Sequence, residues 1–307
     1  MGRVLSTSEG SHAGAFTPLD WMLFFGVGTI WGASFLLIAI GLNALAPGAI
    51  TWIRVGIGAL VLWLVPGVRR PIEREDRARL VAVSILWVGI PFSLFPIAQQ
   101  WVSSAVTGML NGGVPIVTAV VATAMLRRLP GRIQIVGLLL GLGGVLAIAL
   151  TTAEQGSNQA LGVGLLVVAV LGYGMAINVV APLQRRYGAT AVMGRVLALA
   201  TIWTAPFGVV GLTRSTFAWG SVAAVVVLGV FGTGLAFVLM SRLVGRVGGT
   251  RASFVTYLIP VVATVLGITL RDETVSTFAL VGVMAVIVGA LLASRADRRA
   301  ATVVPAA

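Results

Sequence analysis

The chain has 307 residues, of which 58% are hydrophobic and only 10% charged, and its mean hydropathy is +1.03. A soluble domain carries roughly 25% charge, so most of this chain cannot face water. All the basic residues behind the formal net charge of +12 are arginines, and they lie almost entirely in short loops between apolar runs, which points to a lipid bilayer as partner and to no nucleic acid.

Residues 1–19 are polar and lack the apolar core of a cleavable signal peptide. The first apolar run therefore serves as an uncleaved insertion signal. A spanning helix needs about 20 mostly apolar residues. Ten such runs follow in order, at 20–41, 47–66, 80–101, 103–127, 131–151, 161–183, 189–212, 217–241, 249–271 and 276–294. They show no period-2 alternation, so helices are the expected way to satisfy the backbone in lipid.

Orientation follows from the arginines. With the N-terminus inside, 17 of them fall in cytoplasmic segments, only Arg214 and Arg271 fall outside, and Arg54 and Arg195 lie within helices. The positive-inside rule then places both termini in the cytoplasm.

The segment Ala105–Leu150 has a gap-free counterpart 145 residues later. Pro115 falls on Pro260, Gly137 on Gly282 and Gly144 on Gly289. Only the charges change: the linker containing Arg127, Arg128 and Arg132 becomes one containing Asp272 and Glu273. Five helices per copy is odd, so the second copy enters the membrane inverted. The expected fold is all-α and integral to the membrane, with ten transmembrane helices as two inverted five-helix repeats. The parts are a cytoplasmic tail (1–19), a first repeat (20–151), an extracytoplasmic linker (152–159), a second repeat (160–294) and a cytoplasmic tail (295–307).

Trp31-Gly32-Ala33-Ser34-Phe35, Arg54, the Pro115–Gly137–Gly144 pattern, Tyr173-Gly174, Pro260, Glu273, Gly282 and Gly289 together resemble the EamA-type transporters of the drug/metabolite transporter superfamily. The resemblance runs over nearly the whole chain. It implies a central cavity between the repeats and passage of small metabolites across the cytoplasmic (inner) membrane. One departure is Arg128, where members often carry an acid; it agrees with the positive-inside rule.

Several residues are expected to line that cavity. In Asn111-Gly112-Gly113-Val114-Pro115 the glycines weaken the helix and the proline removes a donor. The matching stretch ends in Pro260 and sets Thr256 opposite Asn111. Helix breaks are therefore expected at Gly112, Gly113, Pro115 and Pro260, since paired broken helices mark transport sites. Phe92, Phe95 and Gln99 share one face of the third helix. Trp31, Ser34, Tyr173, Asn178, Thr233, Ser253 and Tyr257 complete the expected lining. For each residue, packing between helices is the competing role. Arg54 and Arg195 either contact an anionic substrate or anchor at the interface. Gly137 and Gly141 read as a packing contact, within one protomer or between two, so monomer and homodimer both stay open.

The absences are informative too. The chain has no cysteine, its single histidine is His12, and its nine acids all fall in tails, loops or helix ends. No metal site, no cofactor and no enzymatic activity are expected, and no titratable group is available to carry a proton across the bilayer. The expected function is a secondary transporter, an exporter or facilitator, of small metabolites such as amino acids, working by alternating access. An integral-membrane enzyme and a non-transporting receptor or scaffold are the alternatives.

Overall fold

A computed structural model describes residues 15–126 and 131–293, all in helices and short connections with no strand among them. The start of the N-terminal tail, Arg127, Arg128 and the C-terminal tail expected over 295–307 lie outside the described residues. Among the described residues ten apolar helices follow one another: α1 (Pro18–Gly41), α2 (Pro47–Trp63), α3 (Arg74–Ala98), α4 (Ser104–Met125), α5 (Arg132–Ala153), α6 (Ser157–Tyr187), α7 (Ala189–Thr213), α8 (Trp219–Val247), α9 (Val255–Arg271) and α10 (Thr277–Ala293). Seven of them are long and apolar enough to cross a membrane; α2, α9 and α10 are shorter.

Local chemistry starts and stops these helices. Thr17 and Asp20 form a reciprocal capping box at α1, with Pro18 in the first turn, where its missing N–H costs nothing. Ser103 accepts from the Val106 amide at the start of α4. Gly188 and Gly248 close α6 and α8 at φ 86° and 85°, a region open to glycine at little cost.

Neighbouring helices pair closely. α5 runs along α10, α2 along α7 and α4 along α9. In addition α1 touches α8 and α9, and α6 touches α3 and α4. The α5–α10 contact is backbone against backbone. A Cβ added at Gly289 would stand 2.4 Å from the Gly141 nitrogen, and one at Gly144 would stand 2.5 Å from the Gly282 oxygen. The glycine pattern of α5 is thus a packing surface within one chain, where small residues let helices approach. The far side of α5 exposes Leu139, Leu142 and Leu146, and α10 exposes Phe278 and Val281. Such an outer surface suits lipid.

The helix breaks differ in part from expectation. Gly112 and Gly113 do form a turn between two stretches of α4, Ser104–Asn111 and Val114–Leu126. Pro115 is not itself a break; it occupies the first turn of the second stretch, where proline is tolerated. Pro260 is not a break either, because α9 continues through it. Proline forfeits only the ladder bond of its own nitrogen, and its ring rests against Gly112, where an added Cβ would meet Pro260 Cγ at 3.3 Å. The interruption in this half comes earlier, at Ser253 and Phe254, between a short helix Gly249–Ala252 and α9. Two wider π-type turns went unforeseen: Ser84–Gly89 in α3 and Leu228–Leu235 in α8. They sit at matching places in the two halves, and such turns often mark functional segments.

Candidate functional site

A cavity of about 110 Å³ lies among α1, α2, α3, α4, α6, α8 and α9. Eight of the expected residues line it: Trp31, Ser34, Arg54, Phe92, Phe95, Asn111, Tyr173 and Thr256. Phe35, Trp87, Val114, Ile177, Phe237 and Ile259 complete the wall and were not anticipated. A signal for three of these was present. Phe92 and Phe237, Asn111 and Thr256, and Val114 and Ile259 are each 145 residues apart, the spacing of the repeat.

Aromatic rings make half of the wall. Phe95 stands 5.4 Å from Phe35 and 5.8 Å from Tyr173, and Phe237 stands 6.0 Å from Trp31 and 6.2 Å from Trp87, centroid to centroid. These separations are those of favourable aromatic pairs. Ser34 spends its hydroxyl on the Ile30 carbonyl, at 2.9 Å.

Arg54 is the charged member of the lining and is only 6% exposed. Its Nε donates to the Thr233 hydroxyl at 3.0 Å, and its guanidinium carbon lies 3.8 Å from the centre of the Phe92 ring. The approach depends on Gly58, one turn further along α2, where a Cβ would stand 2.4 Å from Thr233 Cγ2. Among the described residues no carboxylate pairs with Arg54. Burying an unpaired cation costs several kcal/mol. The ring offsets about 0.5–2 kcal/mol of that and the hydroxyl about 1.5–3 kcal/mol. Thr233 is thus behind the wall, holding Arg54, and not in the lining.

Arg195 has a different position. Its Nη1 donates to the carbonyls of Val68 and Ala191, at 2.6 and 3.1 Å, tying α7 to the loop that follows α2. It is therefore an anchor for backbone carbonyls and not a group of the cavity. Asn178 also lies elsewhere, donating to the carbonyls of Thr118 and Gly174 at 3.2 and 2.8 Å. It turns toward α4 because it is the next residue round the helix from Ile177. Tyr257 donates to the Ala290 carbonyl at 2.9 Å and joins α9 to α10. Ser253 is exposed in the turn before α9. Gln99 falls just past the end of the α3 helix, so it leaves the face that Phe92 and Phe95 share. It lines a larger vestibule of about 710 Å³ at the opposite end of the bundle from the arginine-rich loops. Its amide nitrogen and oxygen are both buried without a partner among the described residues.

Several acids among the described residues hold helix ends together. In the vestibule the Glu273 carboxylate accepts from the Ser104 amide at 3.0 Å, the Ser104 hydroxyl at 2.7 Å and the Ala105 amide at 2.8 Å. It thereby satisfies the first amides of α4, where a negative charge is favoured. At the arginine-rich end Asp20 pairs with Arg246, and Asp76 accepts from Arg186 and Tyr187.

The sequence profile of the EamA-like transporter family matches residues 21–150 and 160–295. The chain belongs to the EamA-like transporter family. Among relatives of this EamA-like chain, an uncharacterized transporter of Bacillus subtilis (strain 168), YoaV, is 25% identical over 272 residues, 85% of this chain and 91% of its own. An uncharacterized transporter of Buchnera aphidicola subsp. Schizaphis graminum (strain Sg) is 25% identical over 124 residues, 39% of this chain and 41% of that one. A solved crystal structure shares the fold, with a TM-score of 0.59 at 17% identity over 92% of this chain and 98% of that one. Family and relatives together make the chain a multi-pass membrane transporter.

Proposed function

We propose that this EamA-like chain is a secondary transporter, an exporter or facilitator, that carries small metabolites such as amino acids across the cytoplasmic membrane by alternating access. In this reading all ten helices span the bilayer, as two inverted repeats with both termini in the cytoplasm. The observation that carries it is the cavity itself. Its walls take residues from both halves, three times as pairs 145 residues apart. The packing partners support the same symmetry, since α1 against α9 corresponds to α6 against α4, and α1 against α8 to α6 against α3. A substrate site at the interface of two repeats is where such transporters place it.

The cavity lining contains aromatic rings, one arginine, one asparagine and hydroxyls, and no acid or histidine among the described residues. Arginine stays protonated at accessible pH. Transport is accordingly driven by the substrate's own gradient, by facilitated diffusion or exchange. Purified protein in liposomes tests both points. Substrate should move down its gradient with no proton or sodium gradient present. An imposed pH gradient should not accumulate a non-titrating substrate, and accumulation powered by pH alone would overturn the facilitator reading.

A further inference from the structure

We infer that Arg54 and Asn111 form a carboxylate subsite, so that the transported molecule is a small acid with a single negative charge; this rests on the transporter reading above. The two arginines within helices supply the comparison. Arg195 spends its guanidinium on two backbone carbonyls, as a structural arginine does. Arg54, stacked on Phe92, gives a protein acceptor only its Nε. Its other N–H groups find no acceptor among the described residues, and they are not sealed off from the cavity. Asn111 repeats the pattern. It is 9% exposed, its side chain makes no hydrogen bond among the described residues, and its Oδ1 is buried without a partner.

A cation and a free amide in one apolar cavity define a ligand. The planar guanidinium fork matches the two oxygens of a carboxylate. The Asn111 amide takes a polar atom next to it, an ammonium or hydroxyl. The rings of Phe95, Tyr173 and Trp87 receive the apolar remainder. Arg54 is the sole charged residue of the lining among the described residues, so a monoanion is neutralised where a dianion would bring a second, uncompensated charge. The volume of about 110 Å³ is of the order of an engineered cavity that takes up benzene, which sets a small scale for the ligand. Plain monocarboxylates and α-amino acids share this chemistry.

The test uses the purified full chain and two skeletons in three forms. Leucine and phenylalanine carry both groups, 4-methylpentanoate and 3-phenylpropanoate only the carboxylate, 3-methylbutylamine and 2-phenylethylamine only the amine. Thermal unfolding is followed at matched concentrations, since a ligand stabilises according to its occupancy. At least one carboxylate-bearing probe should raise the melting temperature, and its amine counterpart should not. Stabilisation by leucine or phenylalanine alone names amino acids as the class, and equal stabilisation by the two acids names monocarboxylates. Arg54→Gln should weaken the stabilising probe at least tenfold, Arg54→Lys less, and Arg195→Gln should leave it within about twofold. Stabilisation by the amines alone, by no carboxylate, or undiminished in Arg54→Gln would overturn the subsite. The wild-type panel decides this even if Arg54→Gln fails to fold. The two readings fail separately. Amines that bind and cross liposome membranes would leave the transporter reading standing without the subsite, and carboxylates that bind without crossing would do the reverse.

Discussion

Arg54 of α2 and Thr233 of α8 stand 179 positions apart in the chain and are joined by a 3.0 Å hydrogen bond from Nε to the hydroxyl. The bond crosses between the halves of the protein and fixes which way the guanidinium faces. Thr233→Val keeps the shape and removes the acceptor. The variant should lose at least about 1–3 kcal/mol of stability, the range for a buried polar group left unmet and exceeded when the group is charged, and its substrate affinity should fall with it. Thermal unfolding and a binding isotherm on the same sample measure both effects. An unchanged protein would show that Arg54 needs no support from α8.

Two asparagines in the membrane region should behave differently. Asn111 faces the cavity, so Asn111→Leu should lower substrate flux about tenfold or more with near-normal melting temperature. Asn178 holds α6 to α4, so Asn178→Leu should lower the melting temperature and leave the flux per folded molecule within about twofold. A reversed result would move the cavity to the other side of α6.

Topology can be read in intact cells, because the chain has no cysteine of its own. Cysteines placed at the exposed positions Ser157 and Thr213 should react with an impermeant thiol reagent, and one at the exposed Ala78 should not. Labelling of Ala78 from outside would remove the inside placement of the N-terminus and the inverted repeat with it.

The α5–α10 contact leaves no room for a side chain. Gly289→Leu would drive atoms into the backbone around Gly141, and overpacking of this kind costs typically 1–3 kcal/mol or more. The variant should melt well below the wild type or fail to accumulate. Gly143→Leu on the facing helix α5 is a control, as nothing lies within 4 Å of its added Cβ. Equal melting of the two variants would contradict the packing.

What could be read from the sequence depended on how far apart the interacting residues lie. Hydropathy and the short motifs from Trp31 to Gly289 pointed to a helical membrane protein of this family, because each of those signals is local. Asn111 and Thr256 both reached the cavity, since repetition carries one residue's position over to its partner. Arg54 and Arg195 looked alike because their distinguishing partners, the Thr233 hydroxyl and the Val68 carbonyl, are over a hundred residues away. Tyr257 and Asn178 went astray by rotation: each is one step, about 100° round a helix, from a residue that does face the cavity. Pro260 misled because a missing N–H weakens a helix without dictating where it parts.

The glycine seam between α5 and α10 also provides a fixed frame for measurement. Backbones in direct contact, with no side chains to slide or re-pack, are poorly placed to change their separation while other helices move. Spectroscopic probes attached to the outer faces of α5 and α10, at Leu142 and Val281 for example, should therefore keep a constant distance throughout a transport cycle. They would serve as stationary marks against which displacement of α3 or α8 could be read.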